Sequence, residues 1–297
     1  MKRQLRARLL APCLRAGVFV ASLLSWRGAQ RLGAAIGLGL RPFLRRDRRR
    51  MAAHLEVAFP EKSPNERREL ERQCWRHLGM AIFELLHIRG RDPGEAASHV
   101  EIVGFEAVEA AKKAGQAVVI LTGHCGNWEL ISTANHRHGL GLAAMARELD
   151  EAALQDFAVA FRRHLGSETI ARGSASSTKQ LLRVLRNKGA LGLLIDQDIQ
   201  EADSVFVPFF GKPAWTPTAA TDLALRLGAA VVPTFAERLA DGSHRVTFYP
   251  ALELPANVQA ATAQMTAEIE KQIRRHPEQW VWMHRRWRRQ PPPEATT

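Results

Sequence analysis

Apolar and polar positions along the chain fall into two regimes. Between residues 61 and 90 the spacing is helical: Ser63-Pro64-Asn65-Glu66 supplies an N-cap serine and a proline at the first position, and Leu70, Trp75, Leu78, Ile82, Leu85 and Leu86 then recur on one face. After Asp92-Pro93-Gly94 the period changes. Short apolar runs at Ala117–Thr122, Leu142–Ala146, Glu168–Ala171, Ala190–Asp196, Ala229–Ala236 and Arg245–Tyr249 predict strands. Helices are expected over 151–165, 176–188, Pro217–Leu227 and 257–275. Strands this apolar, alternating with helices, predict an α/β fold with a mainly parallel central sheet covered by helices.

Charge changes the picture at the two ends. Residues 1–50 carry thirteen basic side chains against Asp47 alone, whereas 51–270 carry 22 basic and 27 acidic groups. Residues 271–290 are basic again, through Lys271, Arg274, Arg275, Arg285, Arg286, Arg288 and Arg289 against Glu278. The apolar run Leu9–Leu24 is split by Arg15, which argues against a secretory signal, and whether residues 9–40 span the membrane or lie on it stays open at this point. The expected role of 1–50 is a basic amphipathic segment anchoring the protein to an anionic membrane surface, with Trp26 at headgroup depth and the arginine-rich run Arg41–Arg50 near lipid phosphate. Basic clusters serve a nucleic-acid arm equally well, but no nucleic-acid-binding signature accompanies them, so no nucleic-acid partner is expected. The organisation predicted is an anchoring segment at 1–50, a main folded domain at 51–290 and a disordered tail at 291–297. Three scattered cysteines, Cys13, Cys74 and Cys125, fit neither a disulfide framework nor a zinc ribbon.

Candidate chemistry follows the first apolar strand, in Gly123-His124-Cys125-Gly126-Asn127-Trp128-Glu129. Loops at the carboxyl ends of strands are where open α/β sheets collect ligands. On one continuous helix His124 and Glu129 would point about 140° apart, so they meet only if the chain turns between them. The glycines permit that turn, and Asn127 can cap a helix starting at Trp128. Glu129 is then expected to hold one imidazole nitrogen while the other takes a proton from a hydroxyl.

That string resembles the H-x4-E block of the lysophospholipid acyltransferase superfamily, and more narrowly the bacterial lipid A biosynthesis lauroyl/myristoyl acyltransferases. Three further stretches carry the resemblance: Asp196-Gln197-Asp198 with Val205–Gly211; Gly228–Pro233; and Pro277–Trp287. It departs from the family at His54, where Asn is frequent, and at Ile199, where an aromatic is common. The resemblance implies a glycerol-phosphate-acyltransferase-like fold and transfer of an acyl chain from an acyl carrier protein (or coenzyme A) thioester to a hydroxyl of lipid A or its precursor. His124 would act as general base, oriented by Glu129, with no acyl-enzyme, no cofactor and no metal. It also implies work at the cytoplasmic face of the cell inner membrane. Acylation of another glycolipid or phospholipid is the nearest alternative, and a membrane- or nucleic-acid-binding protein without activity the more distant one.

Arg147 and Arg172 lie after the second and third strands and are expected to contact phosphate or support the site, as are Asn127, Asp196 and Gln197. Asp196 is expected to orient such an arginine. Cys125 is expected to be a bystander, and His136 and His138 lack a third ligand at metal spacing. Trp280 and Trp282 are expected to pack one side of a core strand, with Arg285, Arg286, Arg288 and Arg289 turned to phosphate or solvent.

Overall fold

The computed structural model describes residues 2–172, 176–200 and 202–292. Most of the expected tail at 291–297 therefore lies outside the described residues. Four helices come first: α1 (Lys2–Leu23), α2 (Trp26–Leu40), α3 (Arg45–Ala58) and α4 (Pro64–Arg89). After α5 (Pro93–Ser98) the chain alternates through β1 (Val100–Val103), α6 (Glu106–Lys113), β2 (Val118–Thr122), α7 (Thr133–His138), β3 (Leu142–Ala146), α8 (Ala152–His164), β4 (Glu168–Ala171), α9 (Ser177–Arg186) and β5 (Ala190–Leu194). A hairpin follows, β6 (Ser204–Phe209) and β7 (Lys212–Pro217), then α10 (Ala219–Leu227), β8 (Ala230–Arg238), β9 (His244–Phe248) and α11 (Val258–Arg275).

The main sheet has the order β1-β9-β8-β2-β5-β3-β4. β8, β2, β5, β3 and β4 are mutually parallel, whereas β9 runs antiparallel to β8 and carries β1 with it. The sheet is thus mainly parallel, as the pattern predicts, with a reversed pair at one edge. Every residue of β2 is buried, which a strand covered on both faces requires. Side chains alternate across it: Val119 and Leu121 join the core formed with α3, α4, α9, α10 and α11, while Val118 and Ile120 join the one under α6, α7 and α8.

The six predicted strands of the main sheet all form, with boundaries shifted by at most two residues. Helix α4 starts where the sequence places it, on a complete capping box: Ser63 Oγ accepts from Glu66 N at 3.3 Å and Glu66 Oε2 from Ser63 N at 2.8 Å. Three expectations need correction. The helix expected at Pro217–Leu227 forms as α10 but starts two residues later, because residues 212–217 pair with β6. Trp280 and Trp282 are buried but not on a strand; they follow a 3-10 turn at Pro277–Gln279. Trp26 is buried too, stacked on His99, so it does not sit at a membrane surface.

Helices α2 and α4 cross in near backbone contact. A Cβ on Gly33 would overlap the Gly79 carbonyl, and one on Gly37 the Trp75 carbonyl, so only glycine fits. This crossing seats α2 on α4. No described helix is long and apolar enough to cross a membrane.

Candidate active site

His124 stands two residues beyond β2, and Asp196 two residues beyond the adjacent parallel strand β5. In-register pairing of Thr122 with Leu194 brings these two strand ends side by side. Asp196 Oδ1 accepts from His124 Nδ1 at 2.8 Å, and Oδ2 from the His124 backbone N–H at 2.7 Å and from Trp280 Nε1 at 2.8 Å. Burial by itself would raise the Asp196 carboxyl, but the imidazole beside it and these three donors overcome that and hold it below the usual carboxylate range. With Nδ1–H committed to a carboxylate, Nε2 carries the lone pair. The arrangement is that of an imidazole whose tautomer and position a carboxylate fixes, which is what a general base requires.

The loop is fixed from below. Gly126, at φ 59°, donates its N–H to Gln279 O at 2.7 Å, and a Cβ there would overlap the Ala236 carbonyl. Val281 N–H donates to His124 O at 3.3 Å. The segment that follows the 3-10 turn thus supports the histidine through both backbone and Trp280.

Glu129 is not the carboxylate on His124. Its oxygens accept a two-point ion pair from Arg162 on α8, Nε at 2.9 Å and NH2 at 2.5 Å. The reason is local. From Trp128 the chain winds as a 3-10 turn, Trp128–Ser132, with the Trp128 ring against the His124 ring at 4.8 Å. Having spent Trp128 on that contact, the turn directs the next side chain toward α8. Asn127 does precede this turn, but its side chain makes no cap. It donates instead to Glu84 Oε2 at 2.9 Å, inside the protein.

Glu84 is a buried carboxylate with four partners. Besides Asn127 it accepts from Gln30 on α2 at 2.7 Å and from Arg238 on β8 at 2.8 Å through each oxygen, and His244 lies 3.1 Å away. Burial opposes its charge, but His244 and Arg238 hold it well below the usual carboxylate value. The His124–Asn127 loop, the N-terminal helices and the sheet edge therefore share one buried charge.

Gln197, one residue past Asp196, lies beside the His124 ring. Its amide nitrogen lies 2.9 Å from His124 Nε2 and 2.9 Å from His284 Nε2. His284 gave no sign of itself in the sequence beyond lying in a tryptophan- and arginine-rich block; it reaches the site because that block folds back over it. Arg147 and Arg172 sit along the same sheet edge, two and three strands from β2. Arg147 is exposed and pairs with Asp150 at 3.4 Å, and the Arg172 N–H donates to Ala146 O at 2.8 Å. Asp196, expected to orient such an arginine, instead accepts from His124 and Trp280.

The C-terminal arginines are not all turned outward. Arg286 is fully buried, donating to Trp215 O and Thr216 Oγ1 at 2.6 Å each and lying over the Phe209 ring. Burial lowers its pKa to about 10, against the opposing pull of Asp196 and Asp198. Arg288 pairs with Asp198 at 2.8 Å. Both tie the β6–β7 hairpin and the Asp196–Asp198 segment to the chain end. Among the described residues no cluster of His, Cys, Asp or Glu has a metal-binding arrangement.

A histidine held by a buried aspartate at the carboxyl edge of a parallel sheet is an arrangement suited to proton transfer. Comparison with known proteins gives the family. Residues 13–289 match the bacterial lipid A biosynthesis acyltransferase family, and the chain belongs to it and is an acyltransferase. It is 29% identical to the lipid A biosynthesis palmitoleoyltransferase of Escherichia coli (strain K12) over 280 residues, covering 89% of this chain and 86% of that one. It is 26% identical to the lipid A biosynthesis lauroyltransferase of the same organism over 266 residues, covering 88% and 85%. To the phosphatidylinositol mannoside acyltransferase of Mycobacterium tuberculosis (strain ATCC 25618 / H37Rv) it is 30% identical over 210 residues, covering 69% and 65%.

Proposed function

We propose that this enzyme moves a fatty acyl chain from an acyl carrier protein thioester to a hydroxyl of lipid A or its precursor. The observation that carries the mechanism is the Asp196–His124 pair. Asp196 holds Nδ1–H, so Nε2 can take the proton of the acceptor hydroxyl as its oxygen attacks the thioester carbonyl. The new ester C–O bond forms, the C–S bond breaks, and the proton on Nε2 passes to the departing thiolate. Asp196 stabilises the imidazolium between these steps. Glu129 contributes indirectly, fixing Arg162 and the turn that presses Trp128 on the base. Arg147 and Arg172 are candidate contacts for acceptor phosphate along the same edge.

The enzyme works, in this reading, as a peripheral protein of the inner membrane's cytoplasmic face. Support comes from the apolar side chains Phe19 and Leu23 on α1 and Leu40 and Phe43 near the end of α2, all exposed, Phe43 at 80%. The exposed arginines of α3 follow directly, suited to anionic lipid. Membrane binding should weaken at high salt and on replacing Phe43 and Leu40 with serine. A variant that pellets with anionic vesicles as fully as the parent protein would refute the anchor.

The direct test is acyl transfer with purified protein, an acyl-acyl carrier protein donor and a lipid A precursor. His124→Ala should abolish product while the fold persists by circular dichroism. Retained transfer would overturn the reading. Acylation of another glycolipid is the second reading, favoured by the 30% identity to the mannoside acyltransferase. Mass spectrometry of lipids from cells lacking the protein decides between the two: lipid A short of one acyl chain, or lipid A intact and another glycolipid changed.

A further inference from the structure

One group in the site has no role in holding or activating the base. The Gln197 amide nitrogen lies 2.9 Å from His124 Nε2 and 3.3 Å from His124 Nδ1. A point so nearly equidistant from both ring nitrogens cannot lie in the imidazole plane, where it would overlap the carbon between them. The amide therefore sits over the face of the ring. The in-plane lone pair of Nε2 stays open to the acceptor hydroxyl, and the amide N–H groups are left beside the place where bond formation occurs.

The orientation of that amide is set by a second histidine. His284 Nε2 is 2.9 Å from the same nitrogen, and its ring lies 4.8 Å from that of His124. A lone pair there accepts one amide hydrogen and turns nitrogen, not oxygen, toward the reaction centre. His284 can do this at any working pH. Burial, together with the nearby His124, keeps it neutral, its pKa lowered to about 3. The other charged groups around it are Asp196, which favours protonation, and His54 and Arg50, which oppose it.

We propose that Gln197 donates its second amide hydrogen to the thioester carbonyl oxygen as that oxygen becomes negative, and that His284 is the positioning residue that keeps the amide nitrogen inward. The step is the one already described: the hydroxyl oxygen bonds to the carbonyl carbon, the carbonyl π electrons move to oxygen, and they return as the thiolate leaves. Gln197 neither gains nor loses a proton. A preorganised donor of this kind acts on charge that develops only in the transition state, so it governs kcat rather than binding.

The inference rests on the acyl-transfer reading, and its failure is distinguishable from failure of that reading, which His124→Ala tests. With acyl-acyl carrier protein and a lipid A precursor, Gln197→Ala should lower kcat about 100-fold with either KM changed less than about threefold. Gln197→Glu, which offers a carboxylate in place of the donor, should fall at least as far. His284→Ala should lower kcat in the parent but not further in Gln197→Ala, and His284→Gln, which keeps an acceptor, should restore some of the rate. Thermal melting checks that each variant folds. A raised KM for the acceptor with kcat intact would make Gln197 a binding residue and overturn the proposal. Equal losses from His284→Ala in both backgrounds would overturn the positioning role.

Discussion

Asp196 grips His124 at two points, accepting from the ring Nδ1 at 2.8 Å and from the backbone N–H of the same residue at 2.7 Å. One carboxylate thereby fixes both the tautomer of the imidazole and the position of its main chain. Asp196→Asn should be far more damaging than its small change in shape suggests. An amide there offers a donor as well as an acceptor, and the wrong tautomer follows. A loss of about 10³-fold or more in kcat is expected. A variant within tenfold of the parent in a steady-state transfer assay would contradict the assignment.

Glu129 and Arg162 form a partly buried two-point pair, at 2.9 and 2.5 Å. If Glu129 acts through that pair, Glu129→Gln and Arg162→Met should cost similar factors in kcat. The double variant should then be no worse than the worse single one. Simple multiplication of the two losses would show that Glu129 has a separate role.

The Glu84 carboxylate is wholly buried and shared by Gln30, Asn127, Arg238 and His244. Removing its charge leaves the Arg238 guanidinium without its counterion. Glu84→Gln should destabilise the fold by about 3–5 kcal/mol. Urea denaturation measures this, and a midpoint close to that of the parent would dismiss the hub.

Acid should weaken the fold early. Burial holds both His77 and His284 below the ordinary histidine value of 6.5, with Arg238 adding to the effect at His77 and His124 at His284. Each stays neutral when folded and binds a proton once unfolded. The unfolded chain therefore takes up more protons below pH 6.5, and stability falls as pH drops through that value toward about 3 for His284. The slope approaches about 1.4 kcal/mol per pH unit for each histidine. Asp196 and Glu84, held below their ordinary 3.8 and 4.5 despite burial, add to the loss at lower pH. Denaturation midpoints from pH 7 to 5 should fall in the parent and fall less steeply in His284→Gln; equal slopes would exclude His284 as a contributor.

Burial raises the Cys74 and Cys125 thiols well above the ordinary value, whereas Cys13 is exposed. Iodoacetamide should label one cysteine in the native protein and three after unfolding. Cys125→Ser should retain most transfer activity. A loss matching that of His124→Ala would mean that the thiol, not the acceptor hydroxyl, attacks the thioester.

Much of this enzyme is legible in its residue order, because short-range physics writes it there. Strand burial on both faces demands apolar runs such as Val118–Thr122, and a helix start demands donors like Ser63, so sheet and helices follow from local pattern. The position of His124 after the first such run, between two glycines, equally marks it as the candidate base. Its partner is not local. Glu129 is the nearest carboxylate along the chain, yet Asp196, 72 residues away, takes the ring nitrogen. Parallel pairing of β2 with β5 brings the two strand ends together, and the 3-10 turn after Asn127 sends Glu129 to Arg162 instead. His284 and Trp280 arrive the same way, from a segment with no periodicity to predict its path. Spacing constrains which side chains share a turn. Which groups meet across a sheet edge depends on strand order and on how the core closes, and only the folded chain decides that.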